Sequence, residues 1–285
     1  MNLRRDEVQG LIRRALAEDL PFWDLTSDLL LGDSSRPCRA EALVKGRELV
    51  AAGIPVAGFV FREVDPAVTF TVLAGEGSRV PAGHLLFELV GDARGLLAGE
   101  RVALNLLQHT CGIATMTRAF VDAVAGTGVR ILDTRKTTPG LRALEKYAVT
   151  AGGGHNHRFS LSDGILIKEN HITAAGGIRP ALASAAARRS GHLVKTEIEV
   201  TGLDEAREAL DAGADMLLLD NFSPDDVRRA VDLVDGRIPL EVSGGIGPDN
   251  VRAYAEAGPD FISVGQLTHS APASDISLLF REPGD

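Results

Sequence analysis

The strongest constraint on this chain is a rhythm that begins at Val129. Short apolar runs recur at 129–132, 164–167, 194–200, 216–219, 238–242 and 261–264. Helical patterns lie between most of them, at 180–189, 203–212, 224–234 and 248–257, and three of these open with proline, whose fixed φ and missing N–H suit a first turn. Strands that alternate with helices pair in parallel, because each helix carries the chain back across the sheet. The fold class read from this is α/β, with a parallel sheet closed or nearly closed into a TIM-like barrel.

The residues just beyond each strand are equally telling. In chain order the polar groups are Thr134-Arg135-Lys136, Lys168, Glu199, Asp220, Ser243-Gly244-Gly245 and Gly265. Steps of 34, 31, 21, 23 and 22 residues separate Thr134, Lys168, Glu199, Asp220, Ser243 and Gly265, one β/α unit each with longer loops early on. In a barrel these groups share the C-terminal rim, where active sites are built. Six successive strand ends with functional groups are hard to obtain by accident.

The earlier residues read differently. Residues 3–20 form an amphipathic pattern, with Val8, Leu11, Ile12, Ala15, Leu16 and Leu20 at helical spacing. Residues 37–92 carry β-type runs at 40–44, 68–73 and 84–89, broken by punctuation such as Val80-Pro81-Ala82-Gly83, with a helix near 55–64. This predicts a small antiparallel domain. A second helical stretch at 93–125 is expected to break near Cys111-Gly112. The domains expected are 1–110, joined by 271–285, and 111–270.

Charge narrows the ligand. The net charge of −9 argues against nucleic acid or an anionic membrane surface. Yet residues 130–171 hold seven basic and four acidic side chains and three histidines, whereas 199–285 hold six basic and eighteen acidic. A basic middle inside an acidic chain points to small, highly anionic ligands. Cys38 and Cys111 lack metal-ligand company and read as free thiols of a reducing compartment. No apolar run approaches a membrane span, and the first residues read as helix and not as signal peptide, so a cytoplasmic location is expected.

Each cluster has its own chemistry. Arg135 offers a planar fork for carboxylates and Lys136 a point charge for phosphate, although a solvated basic turn would look the same. The Gly152-Gly153-Gly154 run allows close backbone approach to a ligand, and His157-Arg158 add anion donors, unless the loop is merely flexible. Lys168, delivered by an apolar strand, needs an anionic partner or ligand if buried, and a Schiff base is conceivable. Glu199 and Asp220 suit Mg²⁺ or, in the empty state, neutralise the lysines. Glycine-rich turns after the last two strands are a usual seat for phosphate.

Seven ordered runs carry a resemblance. They are Glu100-Arg101-Val102-Ala103-Leu104-Asn105, Asp133-Thr134-Arg135-Lys136-Thr137, Gly152-Gly153-Gly154-His155-Asn156-His157-Arg158, Ile167-Lys168-Glu169-Asn170-His171, Glu197-Ile198-Glu199-Val200, Leu219-Asp220-Asn221-Phe222 and Ser243-Gly244-Gly245. With the later Val264-Gly265-Gln266-Leu267-Thr268-His269, they resemble the quinolinate phosphoribosyltransferases over essentially the whole chain.

The resemblance implies an N-terminal α/β sandwich domain, an open or incomplete barrel and a homodimer, possibly a higher oligomer of dimers. It implies that quinolinate and phosphoribosyl pyrophosphate, with Mg²⁺, give nicotinate mononucleotide, pyrophosphate and CO₂ for NAD biosynthesis. By the same resemblance Arg101 reaches the neighbouring subunit's site, and Thr134, Arg135, His157, Arg158 and Lys168, with His171 nearby, surround quinolinate. Lys136, Glu199, Asp220, Ser243, Gly244, Gly245, Val264, Gly265 and Gln266 hold phosphoribosyl pyrophosphate and its metal, with Lys136, Lys168, Glu199 and Asp220 as the catalytic set. Phe159-Ser160 and Thr201-Gly202 depart from common family residues but remove no charged ligand-binding group. The rivals are a phosphoribosyltransferase for another acceptor such as nicotinate, a Schiff-base aldolase using Lys168, and an inactive phosphate-binding protein.

Overall fold

The computed structural model describes residues 5–32, 34, 36–189 and 194–281. The chain forms two compact units: residues 1–118, 137–153 and 268–285 make the first, and 119–136 with 154–267 the second.

The first unit contains, in order, α1 (Arg5–Asp19), α2 (Leu25–Leu31), β1 (Pro37–Val44), β2 (Leu49–Val50), α3 (Ile54–Val64), β3 (Thr69–Val72), β4 (Arg79–Val80), β5 (Leu85–Asp92) and most of α4 (Ala93–Ala123). An antiparallel sheet forms around β1, which pairs with the strand Ile276–Arg281 on one side and with β5 on the other, and β5 pairs in turn with β3. The core joins alternate residues of these strands (Ala40, Ala42, Leu89) to Val8 and Ile12 of α1, Val60 and Phe61 of α3, and Leu96 and Leu107 of α4. That is a helix-on-sheet sandwich.

One expectation is corrected here. No break interrupts α4 at Cys111-Gly112. Gly112 instead lets the chain cross the helix closely, since a Cβ there would stand 2.0 Å from the Pro272 carbonyl oxygen. α4 runs through residues 110–111, and the two compact units divide within the helix at Arg118. Residues 137–153 join the first unit because α5 (Arg142–Ala151) buries Leu144 in that core, while its Tyr147 hydroxyl donates to Glu76.

The second unit carries β6 (Arg130–Leu132), β7 (Ile165–Ile167), α6 (Glu169–Ala175), α7 (Ile178–Arg188), β8 (Thr196–Val200), α8 (Leu203–Asp211), β9 (Met216–Asp220), α9 (Pro224–Val234), β10 (Leu240–Ser243), α10 (Val251–Glu256), β11 (Phe261–Ser263) and, astride its end, α11 (Gln266–His269). Its six strands pair in parallel in the order β6-β11-β10-β9-β8-β7. β6 and β7 stand at opposite edges and do not pair, so the barrel is open. On the free side of β6, His155 makes a single parallel bridge to Leu132. Its N–H donates to the Ile131 carbonyl at 2.8 Å, and its own carbonyl accepts from the Asp133 N–H at 3.1 Å. That bridge aims the next residues, His157 and Arg158, at the strand ends.

Candidate active site

Strand geometry places the functional side chains. Successive residues of a strand point to opposite faces. Ile198, Val200, Leu217, Leu219 and Val242 are fully buried and occupy one parity of β8, β9 and β10. The other parity brings Glu197 and Glu199, Leu218 and Asp220, and Glu241 and Ser243 to one face. Register aligns them: Leu166 opposite Glu197, Glu199 opposite Leu218, Leu218 opposite Glu241, and Asp220 opposite Ser243.

The residues of this face other than Glu197 line a cavity of about 490 Å³. Thr134, Arg135, Lys136, His157, Arg158, Lys168, Glu199, Asp220 and Ser243, all singled out from sequence, meet there, together with Leu166, Leu218, Glu241 and Ser263. Gly244, Gly245, Val264, Gly265 and Gln266 do not line it. They follow β10 and β11, where the Gln266 side-chain amide donates to the Ile246 carbonyl at 2.8 Å and ties the two turns together. Gly244 has φ +97°, and a Cβ on it would stand 2.2 Å from the Asn221 side-chain oxygen, so only glycine fits beside that residue. The helix after the first turn, α10, has only six residues, so the donors offered to a phosphate are those of the turn itself. His171 lines a second cavity with Arg158, and its Nδ1 accepts the Lys168 N–H at 3.0 Å. Arg101 stands exposed on α4 in the first unit.

Two sequence readings change. Lys168 is half-exposed rather than buried, and its ammonium pairs with the Glu199 carboxylate. The glycine run serves packing at its first position: a Cβ on Gly152 would stand 2.6 Å from the Ala114 carbonyl oxygen and from the Thr117 side chain, both on α4.

Electrostatics mark the cavity as a seat for anions above and for protons below. Arg158 is held below the usual guanidinium value by burial and by the adjacent Arg135 charge. Two neighbouring cations of this kind are relieved by a bound dianion. Asp220 is raised by burial and by the Glu199 charge, a repulsion that a cation between them would remove.

Deeper, His157 Nε2 lies 3.1 Å from a Glu197 oxygen and 3.4 Å from a Glu241 oxygen. The His157 N–H donates to Asp133 at 2.9 Å, and the Arg158 N–H donates to His157 Nδ1 at 2.6 Å. Neither Glu241 oxygen makes a well-formed hydrogen bond, and the side chain is 1% exposed. Burial, then the Glu197 charge, push the Glu241 carboxyl up to about 8, against the opposing pull of His157, Ser263 and Lys168. Sequence reasoning missed Glu241 and gave Glu197 no role. The signal was present: Glu197-Ile198-Glu199 and Glu241-Val242-Ser243 repeat polar residues at i and i+2 within apolar strands.

Comparisons with known proteins agree with this architecture. Residues 24–111 match the quinolinate phosphoribosyl transferase N-terminal domain and residues 113–279 its C-terminal domain. The chain is 44% identical over 272 residues to a probable carboxylating nicotinate-nucleotide pyrophosphorylase of Bacillus subtilis, covering 95% of this chain and 93% of that protein. It is 42% identical over 279 residues to the carboxylating nicotinate-nucleotide pyrophosphorylase of Mycobacterium leprae, covering 96% and 97%. The solved nicotinate-nucleotide pyrophosphorylase of Francisella tularensis superposes with a TM-score of 0.93 at 40% identity, covering 98% of each chain. With both family domains matched in order and nearly the full length aligned, the chain belongs to the quinolinate phosphoribosyltransferase family.

Proposed function

We propose that the cavity performs the family reaction with a division of labour set by its charges. The enzyme transfers the phosphoribosyl group of phosphoribosyl pyrophosphate to quinolinate, with decarboxylation, giving nicotinate mononucleotide, pyrophosphate and CO₂. The observation that carries the assignment of roles is the Arg135–Arg158 pair, two guanidiniums whose mutual repulsion a dicarboxylate relieves. Thr134 and Lys168 complete the quinolinate end. Lys136 faces the departing pyrophosphate, and Ser243, Gly244, Gly245, Val264, Gly265 and Gln266 form the phosphate end.

The all-oxygen pair of Glu199 and Asp220 fits Mg²⁺, and their mutual repulsion is the sign of it. Bound there, Mg²⁺ would supply positive charge to the phosphates. As pyrophosphate leaves, positive charge builds on the ribose anomeric carbon, and the negative charge of Glu199 and Asp220, holding the metal or the ribose hydroxyls, would stabilise it. The ring nitrogen attacks that carbon and becomes a pyridinium, an electron sink for the bond to the departing carboxylate. Positioning and electrostatics suffice, with no covalent nucleophile.

A homodimer and a cytoplasmic location belong to the same reading. Phe22, Trp23, Leu25, Leu29 and Leu30, in and just before α2, are all more than half exposed, an apolar face of the kind a second subunit covers. Exposed Arg101 is then available to complete the neighbouring site. Cys38 and Cys111 are free thiols, which suits a reducing compartment, and among the described residues no helix is long and apolar enough to cross a membrane.

The test of the acceptor is a competition between quinolinate and nicotinate in the presence of phosphoribosyl pyrophosphate and Mg²⁺. Quinolinate is expected to be the strongly preferred acceptor. Equal or faster use of nicotinate would overturn the pairing of Arg135 and Arg158 with a dicarboxylate.

A further inference from the structure

Loss of CO₂ leaves an electron pair on the ring carbon, and a proton has to take the place of the carboxylate. Besides the guanidiniums, the cavity offers few proton carriers. The hydroxyls of Thr134, Ser243 and Ser263 are very weak acids, and the ammonium of Lys168 is held by an anion in either state, Glu199 in the empty cavity and quinolinate in the loaded one. Lys136 stands exposed beyond the rim of β6, at the pyrophosphate end. His157 has no proton to give upward: its Nδ1 accepts the Arg158 N–H, so the ring proton sits on Nε2, directed at Glu197 and Glu241.

With Glu199 and Asp220 assigned to Mg²⁺, that leaves the carboxyl pair of Glu197 and Glu241. Glu241 lines the cavity, has both oxygens without a well-formed hydrogen bond, and lies in one cluster with Glu197 around a single imidazole N–H. Two carboxylates in such a place cannot both stay ionised, and the one with fewer donors keeps a proton. The spacing of His157, Glu197 and Glu241 would also suit a metal ion. A metal would need the Nε2 lone pair, however, and the Arg158 N–H on Nδ1 assigns a proton there.

We propose that Glu241 is the acid that protonates the ring carbon after decarboxylation. The C–C bond to the carboxylate breaks, CO₂ leaves, and the electron pair stays on the carbon beside the pyridinium nitrogen. That pair takes the proton from the Glu241 O–H, forming the ring C–H and leaving a Glu241 carboxylate. Solvent restores the proton before the next turnover. Burial and Glu197 favour the acid form, while His157, Ser263 and Lys168 temper that preference so that the proton can be given up.

The inference rests on the decarboxylating transfer, and Glu241→Gln tests it separately. In a single turnover with quinolinate, phosphoribosyl pyrophosphate and Mg²⁺, pyrophosphate release should stay within threefold of wild type. Nicotinate mononucleotide should form roughly 10²–10⁴-fold more slowly, the range of a lost general acid, with KM for both substrates little changed. Wild-type turnover should fall as rising pH ionises Glu241, and the variant should lack that limb. If Glu241→Gln does not fold, as judged by thermal melting, Glu197→Gln carries the test: with a negative neighbour removed, the alkaline limb should move to lower pH. Overturning results are product formation by Glu241→Gln within threefold of wild type, equal slowing of pyrophosphate release and product, an alkaline limb unmoved in Glu197→Gln, or stoichiometric zinc in the purified enzyme that Glu241→Gln loses.

Discussion

A single residue step decides what each strand of the second unit offers. Ile198 is sealed against the surrounding layer, so its neighbours share the opposite face: Glu199 lines the cavity, and Glu197 lies buried against His157. Arg135→Ala or Arg158→Ala should cost quinolinate binding about 1.5–3 kcal/mol, the price of one charge-assisted partner, or roughly 10- to 150-fold in Kd. Calorimetric titration with quinolinate checks it, and unchanged affinity in both variants would refute the pairing. Glu241 makes a second expectation at this scale. Its carboxyl is raised in the folded protein, so between the ordinary glutamate value and about 8 the unfolded chain has lost a proton that the folded protein keeps. This group's contribution to stability is full below the ordinary value and is lost as pH rises through that window. Denaturation midpoints should show Glu241→Gln flattening the decline relative to wild type, and parallel curves would count against it. The cationic and acidic groups at the strand ends were legible in the sequence because each ends an apolar run. Glu241 was not read, because the i, i+2 polar repeat it makes with Ser243 says which face is polar only once the strand's facing is known.

At the scale of elements, the alternation of strands and helices fixed most of the second unit, and observed strand bounds fall within a residue or two of the apolar runs. The misreadings concern glycine. Gly112 within α4 resembled a helix break, but its missing side chain makes room for the Pro272 carbonyl. Gly152 resembled a ligand loop and instead seats against Ala114 and Thr117. One chain cannot distinguish a glycine needed for its torsion from one needed for its lack of a side chain. Gly112→Ala separates the two. As a mere helix glycine, it would gain up to about 1 kcal/mol on substitution by alanine. Since the added Cβ meets backbone, the variant should instead lose about 1–3 kcal/mol, as overpacked sites do. Urea unfolding measures the sign, and a stabilised variant would contradict the packing role. The short helix α5 escaped sequence reading altogether: it belongs to the first unit although it follows the first strand of the second, and no local pattern carries that information.

At the scale of the whole molecule, the uneven charge acquires a meaning. The basic middle supplies Arg135, Lys136, Arg158 and Lys168, and the acidic last third supplies Glu199, Asp220 and Glu241, so one cavity gathers both signs from distant stretches of sequence. If active sites are shared between subunits, mixing Arg101→Ala with Lys136→Ala protein should restore part of the activity through hybrid dimers. No recovery despite demonstrated subunit exchange would remove Arg101 from the neighbouring site. The most direct measurement of all is a product balance. Quinolinate labelled in the carboxylate next to the ring nitrogen is incubated with the enzyme, phosphoribosyl pyrophosphate and Mg²⁺, and CO₂, pyrophosphate and nicotinate mononucleotide are counted. The expected result is one of each per quinolinate consumed. A nucleotide that retains the label, or no nucleotide at all, would contradict a decarboxylating phosphoribosyl transfer in this cavity.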